Sequence, residues 1–147
     1  MAEIRVLVVD DYAPWRELVI STFRTRENIK IVAEACDGLS AIGKTLEFHP
    51  DVVVLDVGLP DMTGIEVARR ILQSAPHTRI LFLTEDTTEA NVSEALRLGA
   101  RAYVVKSSAA RDLLPALDAV LLGNLFVSLS AAHSRLRDRP TCGKGSV

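Results

Sequence analysis

The chain has 147 residues, a length that predicts a single domain. Its composition, 48% hydrophobic and 24% charged, is typical of globular proteins and excludes a disordered chain, a collagen-like fibre and a disulfide scaffold. The formal net charge of −2 gives no reason to expect direct nucleic-acid binding by this chain. Its apolar runs are shorter than the ~20 residues that span a bilayer, and it does not start with a signal-peptide pattern. We therefore expect a cytoplasmic protein with no membrane partner.

Five short apolar runs, rich in Val, Ile and Leu, recur along the chain. Nearly continuous apolarity is typical of strands that are buried on both faces of a parallel sheet. The predicted strands are Ile4–Val9, Ile29–Ala35, Asp51–Leu55, Arg79–Leu83 and Ala102–Val105.

The segments between these runs carry apolar residues at helical spacing. Such stripes run over Trp15–Phe23, Ala68–Ala75, Val92–Gly99 and Leu113–Leu121. Trp15 is interpreted as a packing residue of the first helix. Asp86, with Glu89 three residues later, predicts a capping box for the helix that follows the fourth strand.

Strands that alternate with helices five times predict an α/β fold with a parallel sheet and helices on both faces. Crossovers between parallel strands are right-handed in nearly all proteins. At this chain length the common arrangement is the flavodoxin-like doubly wound sheet. We therefore expect five strands in the order 2-1-3-4-5.

Polar side chains follow four of the predicted strands, at the point where each strand ends. Asp10 and Asp11 follow the first strand, Asp56 the third, Thr84 the fourth and Lys106 the fifth. Ligands of open parallel sheets bind beyond these carboxyl ends, where the strand order reverses. The first and third strands flank that point about 4.8 Å apart. Three carboxylates are thus predicted to share one crevice with a hydroxyl and an ammonium group.

Carboxylates this close repel each other, and a cation that neutralises them would account for the cluster. Sites rich in carboxylate oxygens suit Mg²⁺ or Mn²⁺, so we expect one of these ions as the cofactor. Lys106 adds a second positive charge beside Asp56. Two cations around one carboxylate, with the Thr84 hydroxyl nearby, favour acceptance of a phosphoryl group by Asp56 as the nucleophile.

This set of strand-end residues resembles the receiver domain of two-component response regulators. The stretch Asp56–Gly64 is similar to the family's phospho-acceptor loop, and Tyr103 matches the family's switch aromatic residue. The segment Ala95–Tyr103 is also similar to family sequences. The resemblance covers about residues 4–123.

The resemblance implies a phosphoryl donor and a metal site. A sensor histidine kinase or a histidine phosphotransfer protein is expected to donate the phosphoryl group to Asp56. Asp11, Asp56 and the Gly58 carbonyl are expected to hold Mg²⁺, with Asp10 acting through water.

The resemblance also implies catalytic partners and a switch. Thr84 and Lys106 are expected to contact the phosphoryl oxygens on Asp56. Thr84 would then move toward the phosphate while Tyr103 turns inward, and the face made by the fourth helix, fifth strand and fifth helix would change its partner preference. A homodimer through that face, or through the first and fifth helices, is left open. The domain is expected to catalyse only its own phosphorylation and dephosphorylation, and is no enzyme toward external metabolites.

Two features favour one branch of the family. Ser107 follows Lys106 where many relatives have a proline, and Gly123–Ser128 is similar to regulators that carry a LuxR-type helix-turn-helix, the NarL/FixJ-like branch. We expect residues 1–123 to form the receiver domain and residues 124–147 to form a C-terminal extension or linker. The output domain does not fit in this length, so we expect either a fragment of a longer regulator or a stand-alone receiver.

Other functions stay open at this point. A degenerate receiver would act as a phosphate-independent dimerisation or docking module; Glu85 beside the phosphoryl site favours this, whereas Asp56 and Lys106 argue against it. A phosphohydrolase of the haloacid dehalogenase type needs Asp-x-Asp after the first strand, but Asp10 and Asp11 are adjacent. Flavin binding is disfavoured because the same two carboxylates would repel a phosphate.

Overall fold

The computed structural model describes residues 2–128. The strands are β1 Ile4–Val9, β2 Ile29–Ala35, β3 Val52–Leu55, β4 Arg79–Thr84, β5 Ala102–Val105 and β6 Phe126–Val127. The helices are α1 Ala13–Phe23, α2 Gly38–Phe48, α3 Gly64–Ser74, α4 Glu89–Leu98 and α5 Ala109–Leu121, with a 3₁₀ turn at Lys106–Ser108. All six strands are parallel and lie in the order β2-β1-β3-β4-β5-β6. No helix within the described residues is long and apolar enough to cross a membrane.

The predicted α/β fold and the order of its first five strands are confirmed, but the prediction of a five-stranded sheet is wrong. A sixth strand, β6, pairs with β5 so that Val127 lies beside Tyr103. A strand of two residues carries no alternation that a sequence pattern could reveal. Residues 124–128 of the predicted extension thus reach the receiver sheet, while residues 129–147 lie outside the described residues. The division at residue 123 stays a prediction.

The sheet is buried between two apolar layers, which explains the nearly continuous apolar runs. Alternate residues of β1 face opposite sides: Leu7 and Val9 pack with α2, α3 and α4, whereas Val6 and Val8 pack with α1 and α5. All four of these side chains are at most 1% exposed. The predicted placement of helices on both faces is therefore confirmed.

The strand register brings the predicted site residues to one edge. Val9 pairs with Leu55, so Asp10 and Asp56 are the next residues on two neighbouring strands. Thr84 pairs with Val105, the residue that precedes Lys106. Backbone pairing across β1, β3, β4 and β5 thus fixes the spacing of the site before any side chain contributes.

Strand β6 is held by a buried hydrogen-bond network around Ser128, which is 1% exposed. The Ser128 N–H donates to the Tyr103 carbonyl oxygen at 2.9 Å. The Ser128 hydroxyl accepts from the Val105 N–H at 3.0 Å and donates to the Asp112 carboxylate at 2.8 Å. A hydrogen bond from Arg111 holds the pKa of Asp112 below its usual value, which keeps this buried carboxylate charged. One hydroxyl group therefore joins β5, α5 and the end of β6.

We expect Ser128→Ala to lower the free energy of unfolding by about 1–3 kcal/mol, because the Val105 N–H and the Asp112 carboxylate each lose a buried partner. Urea unfolding measures the change. Ser107→Ala, at an exposed position, serves as the matched control and should stay within about 0.5 kcal/mol of the wild type. Equal stability of the two variants would contradict the anchoring role of Ser128.

Candidate functional site

Six of the seven predicted site residues line one cavity of about 430 Å³ beyond the carboxyl ends of the strands. These six are Asp10, Asp11, Asp56, Gly58, Thr84 and Lys106. Tyr103 is not among the lining residues; it lies in the core of the sheet. The exposed Glu85 also lines the cavity, and it therefore adds negative charge to the wall.

The Lys106 ammonium group bridges two buried carboxylates. Its Nζ lies 2.8 Å from Asp10 Oδ2 and 3.1 Å from Asp56 Oδ2, and the lysine side chain is 6% exposed. Burial lowers the pKa of Lys106, but the hydrogen bond to Asp10 and the charge of Asp56 outweigh burial and raise that pKa above its usual value. Lys106 is therefore a buried cation beside the predicted nucleophile at neutral pH.

Burial also affects Asp10, whose pKa is raised above its usual value. Hydrogen bonds from Lys106 and from the Tyr12 N–H oppose this shift. The Tyr12 N–H donates to Asp10 Oδ1 at 2.9 Å, so both oxygens of Asp10 have a partner. Asp10 is thus fixed in place by the turn that begins α1.

The donor set fits a hard divalent cation. Asp10, Asp11 and Asp56 each offer a carboxylate oxygen, and these oxygens all lie within 4.8 Å of one another. Three carboxylates facing one ammonium leave an excess of two negative charges, which a divalent ion cancels. Oxygen ligands alone favour Mg²⁺ or Mn²⁺ over metals that prefer nitrogen or sulfur. Asp11 is the exposed member, so the cluster opens to solvent on its side.

The loop after β3 holds Asp56 through close backbone contacts. The Gly58 N–H donates to Asp56 Oδ1 at 3.2 Å, and the Gly64 N–H donates to the Val57 carbonyl at 2.7 Å. A Cβ atom on Gly64 would lie only 2.0 Å from the Asp56 carbonyl oxygen. Gly64, the last residue of the Asp56–Gly64 loop, is therefore a positioning residue. The sequence pattern did not indicate this role.

Asp61 ties the same loop to the neighbouring helix. Its carboxylate accepts from the Gly38 N–H at 2.7 Å and from the Leu39 N–H at 2.9 Å, at the start of α2. These two hydrogen bonds lower the pKa of Asp61 below its usual value. Apart from the position of Asp61 in the loop, no sequence pattern indicates this role.

Thr84 and Tyr103 are connected through the backbone of Asp86. The Asp86 N–H donates to Thr84 Oγ1 at 3.2 Å, and the Tyr103 hydroxyl donates to the Asp86 carbonyl at 2.6 Å. The Tyr103 side chain is fully buried and its ring contacts Phe82, with 5.8 Å between centroids. Burial raises the pKa of Tyr103 well above its usual value, so the hydroxyl remains a donor. The Tyr103 ring therefore already points into the core, in the orientation that the resemblance implies after phosphorylation.

The prediction that Asp86 caps the following helix is wrong. Helix α4 starts at Glu89, and its N-cap residue is Thr88. The Asp86 carboxylate instead accepts from the Thr88 N–H and hydroxyl, each at 2.8 Å, and from the Asn91 amide. Burial raises the pKa of Asp86, but these hydrogen bonds prevail and lower it below its usual value. Asp86 thus joins the loop after Thr84 to α4.

Trp15 has a second contact beside the packing that the sequence predicts. It packs against the apolar layer of α1 and α5, and it also lines the cavity. The Lys106 Nζ lies 4.9 Å from the centroid of its ring. This distance is within the range of a cation–π interaction.

The fold and this acid–lysine cluster define a doubly wound α/β protein with a candidate metal and phosphoryl site. The sequence profile of the response regulator receiver domain matches residues 6–118. The chain therefore belongs to the response regulator receiver domain family, a component of two-component signalling. This confirms the family resemblance stated above.

Known proteins similar to this chain place it near LuxR-type regulators. The crystal structure of a two-component response regulator of the LuxR family from Aurantimonas sp. SI85-9A1 is 34% identical, with a TM-score of 0.87 over 93% of this chain and 98% of that one. NreC, the oxygen regulatory protein of Staphylococcus epidermidis, is 31% identical over 92% of this chain and 62% of its own length. VraR of Staphylococcus aureus is 33% identical over 78% of this chain and 54% of its own length. The chain thus spans less than two thirds of these two curated regulators.

We expect Gly64→Ala to lower the free energy of unfolding by about 1–3 kcal/mol, because the new methyl group overlaps the Asp56 carbonyl and must displace the loop. Gly43→Ala is the matched control: it lies inside α2, where a Cβ meets no atom within 4 Å. There the gain in helix propensity should stabilise the protein by about 0.5–1 kcal/mol. Urea unfolding of both variants measures the contrast. A Gly64→Ala variant as stable as Gly43→Ala would refute the close approach at Asp56.

Proposed function

We propose that Asp56 accepts a phosphoryl group from a phosphohistidine of a sensor histidine kinase or a histidine phosphotransfer protein, and that phosphorylation changes the surface formed by α4, β5 and α5. The observation that carries this proposal is the Lys106 ammonium, which lies 3.1 Å from Asp56 Oδ2 inside an acidic cluster that fits a divalent cation. An ordinary buried ion pair would need only one carboxylate. Here three carboxylates exceed the charge of one lysine, which favours a site built for an additional cation and an anionic group.

In the proposed reaction an Asp56 carboxylate oxygen attacks the phosphorus atom, and a P–O bond forms as the P–N bond to the donor imidazole breaks. The departing imidazole keeps the electron pair and takes up a proton. Lys106 and Thr84 line the same cavity as Asp56, and in this proposal they neutralise and hydrogen-bond the phosphoryl oxygens.

A divalent ion at this site would be held by Asp11, Asp56 and the Gly58 carbonyl, with Asp10 acting through water. Such an ion supplies positive charge that offsets the phosphoryl oxygens. Asp10 and the Gly58 N–H meanwhile keep Lys106 and Asp56 in their places. The cation and the lysine would thus lower the repulsion between an anionic donor and this acidic cavity.

The proposed switch starts at Thr84. Phosphorylation adds about −1.5 to −2 charge beside it, and the Thr84 hydroxyl is expected to turn toward the new phosphoryl oxygens. That movement alters its hydrogen bond with the Asp86 N–H, and Asp86 also holds the Tyr103 hydroxyl and the start of α4. The contacts of Asp86 therefore give a physical route from the phosphoryl site to α4 and β5.

We expect wild-type protein incubated with Mg²⁺ and acetyl phosphate to gain one phosphoryl group by intact-mass measurement. Asp56→Asn should gain none and should keep its circular dichroism spectrum, since the amide retains the size of the side chain. Asp118→Asn is the control: Asp118 pairs with Arg26 on the surface, away from the cavity, and this variant should be phosphorylated like the wild type.

Two results would contradict the proposal. Phosphorylation of Asp56→Asn would place the acceptor elsewhere. A folded wild-type protein that gains no phosphoryl group from acetyl phosphate or from a histidine kinase would favour the phosphate-independent module, with Glu85 at the cavity wall opposing the donor.

We expect Asp11→Ala to weaken Mg²⁺ binding by at least about tenfold, because it removes one of the two carboxylates expected to bind the ion directly. Isothermal titration calorimetry measures the affinity without any phosphoryl donor. Glu17→Ala, at an exposed position of α1, removes the same charge from the surface and should leave the affinity unchanged. Equal Mg²⁺ affinity for both variants would exclude Asp11 as a ligand.

A further inference from the structure

The Lys106 ammonium is enclosed by three groups, and only two of them are charged. Asp10 and Asp56 contact Nζ, and the centroid of the Trp15 ring lies 4.9 Å from it. The lysine side chain is 6% exposed, so little water is available to take the place of these partners. A tryptophan ring is the aromatic group that attracts a cation most strongly, and burial strengthens the attraction.

The position of Trp15 is fixed by the same backbone that positions Asp10. The Trp15 N–H donates to the Tyr12 carbonyl at 3.1 Å, in the turn that starts α1. Arg16 Nη1 donates to the Asp10 carbonyl at 2.7 Å, and Arg16 Nε pairs with Glu34 on β2. The first turn of α1 is therefore tied to the end of β1. The backbone segments that carry the Trp15 ring and the Asp10 carboxylate are thus joined beside Lys106.

We propose that Trp15 is a positioning residue that retains the Lys106 ammonium beside Asp56 when the carboxylates around it change partners. This inference rests on the proposed function. In the proposed reaction Asp56 becomes bonded to phosphorus and loses its charge, and Asp10 shares its charge with the cation through water. The attraction of both carboxylates for Lys106 therefore weakens while the ammonium turns to the phosphoryl oxygens. The Trp15 ring neither titrates nor binds a hard cation as a ligand. Among Asp10, Asp56 and Trp15, the Trp15 ring is therefore the group whose attraction for the ammonium stays constant through the reaction.

A purely structural role for Trp15 makes a different prediction, because the ring also packs against the layer of α1 and α5. Loss of packing would destabilise the protein and slow phosphorylation regardless of Lys106. A positioning role acts only through Lys106. Two measurements distinguish these roles: an NMR ring-current shift that reports the contact of Trp15 with Lys106, and a double-mutant cycle on the phosphorylation rate.

The first test needs no phosphoryl donor. The ring current of Trp15 should shift the Lys106 ε-methylene proton resonances upfield in the wild type, with the assignment made from Lys106→Met. Trp15→Phe should keep part of the upfield shift, and Trp15→Leu should lose it. Lys106 ε-methylene resonances at the position of solvent-exposed lysines in the wild type would overturn the proposal.

The second test measures the rate of phosphorylation by acetyl phosphate with saturating Mg²⁺. We expect Trp15→Leu to be roughly 2- to 30-fold slower than the wild type, the range that corresponds to a cation–π interaction, and Trp15→Phe to restore most of the rate. In the Lys106→Met background, Trp15→Leu should change the residual rate little. An equal loss in both backgrounds, or no loss in the first, would overturn the positioning role.

The outcomes separate this inference from the proposed function. A wild-type protein that never gains a phosphoryl group refutes the proposed function, and the positioning role falls with it even where the ring-current shift is present. A wild-type protein that is phosphorylated, but in which Trp15 and Lys106 act independently, keeps the proposed function and refutes the inference.

Discussion

The contact of one ammonium group with two buried carboxylates is the interaction on which the rest of the site depends. Parallel pairing of β1 with β3 places Asp10 and Asp56 side by side, so the sheet itself creates a repulsion and a desolvation cost. Lys106 offsets both because its Nζ contacts the two carboxylates at once. The offset is incomplete, since Asp11 adds a third negative charge. The three carboxylates therefore carry more negative charge than Lys106 balances, and a divalent cation can offset the excess.

The site is linked to the neighbouring elements by hydrogen bonds that converge on Asp86. Asp86 offers its N–H to Thr84, its carbonyl to Tyr103 and its carboxylate to the start of α4. The strand that carries Tyr103 is itself fixed to β6 and α5 through Ser128. A small displacement at Thr84 is thus opposed by a short series of hydrogen bonds, each of modest energy. This series would connect the proposed switch at Thr84 to β5 and α4.

The sequence predicts the acid–lysine cluster well because parallel strands end at a common edge and each polar residue directly follows an apolar run. Trp15 and Gly64 could not be assigned in this way. The role of Trp15 depends on Lys106, which is distant in the chain, and that of Gly64 depends on a close backbone approach to Asp56 within the loop, which no pattern of residue types predicts. Asp86 was assigned to the wrong partner: an acid followed by Glu89 fits a capping box, yet the carboxylate binds Thr88 and Asn91. Strand β6 was missed because two residues show no period.

Of the three clustered carboxylates, Asp56 is the one proposed to accept the phosphoryl group. Borohydride reduction of the phosphorylated protein converts an aspartyl phosphate to homoserine, and peptide mass spectrometry then locates the converted residue. We predict homoserine at position 56 alone, dependent on Mg²⁺ during phosphorylation. Homoserine at position 10 or 11, or a phosphoryl group that survives reduction on another residue type, would exclude Asp56 as the sole acceptor.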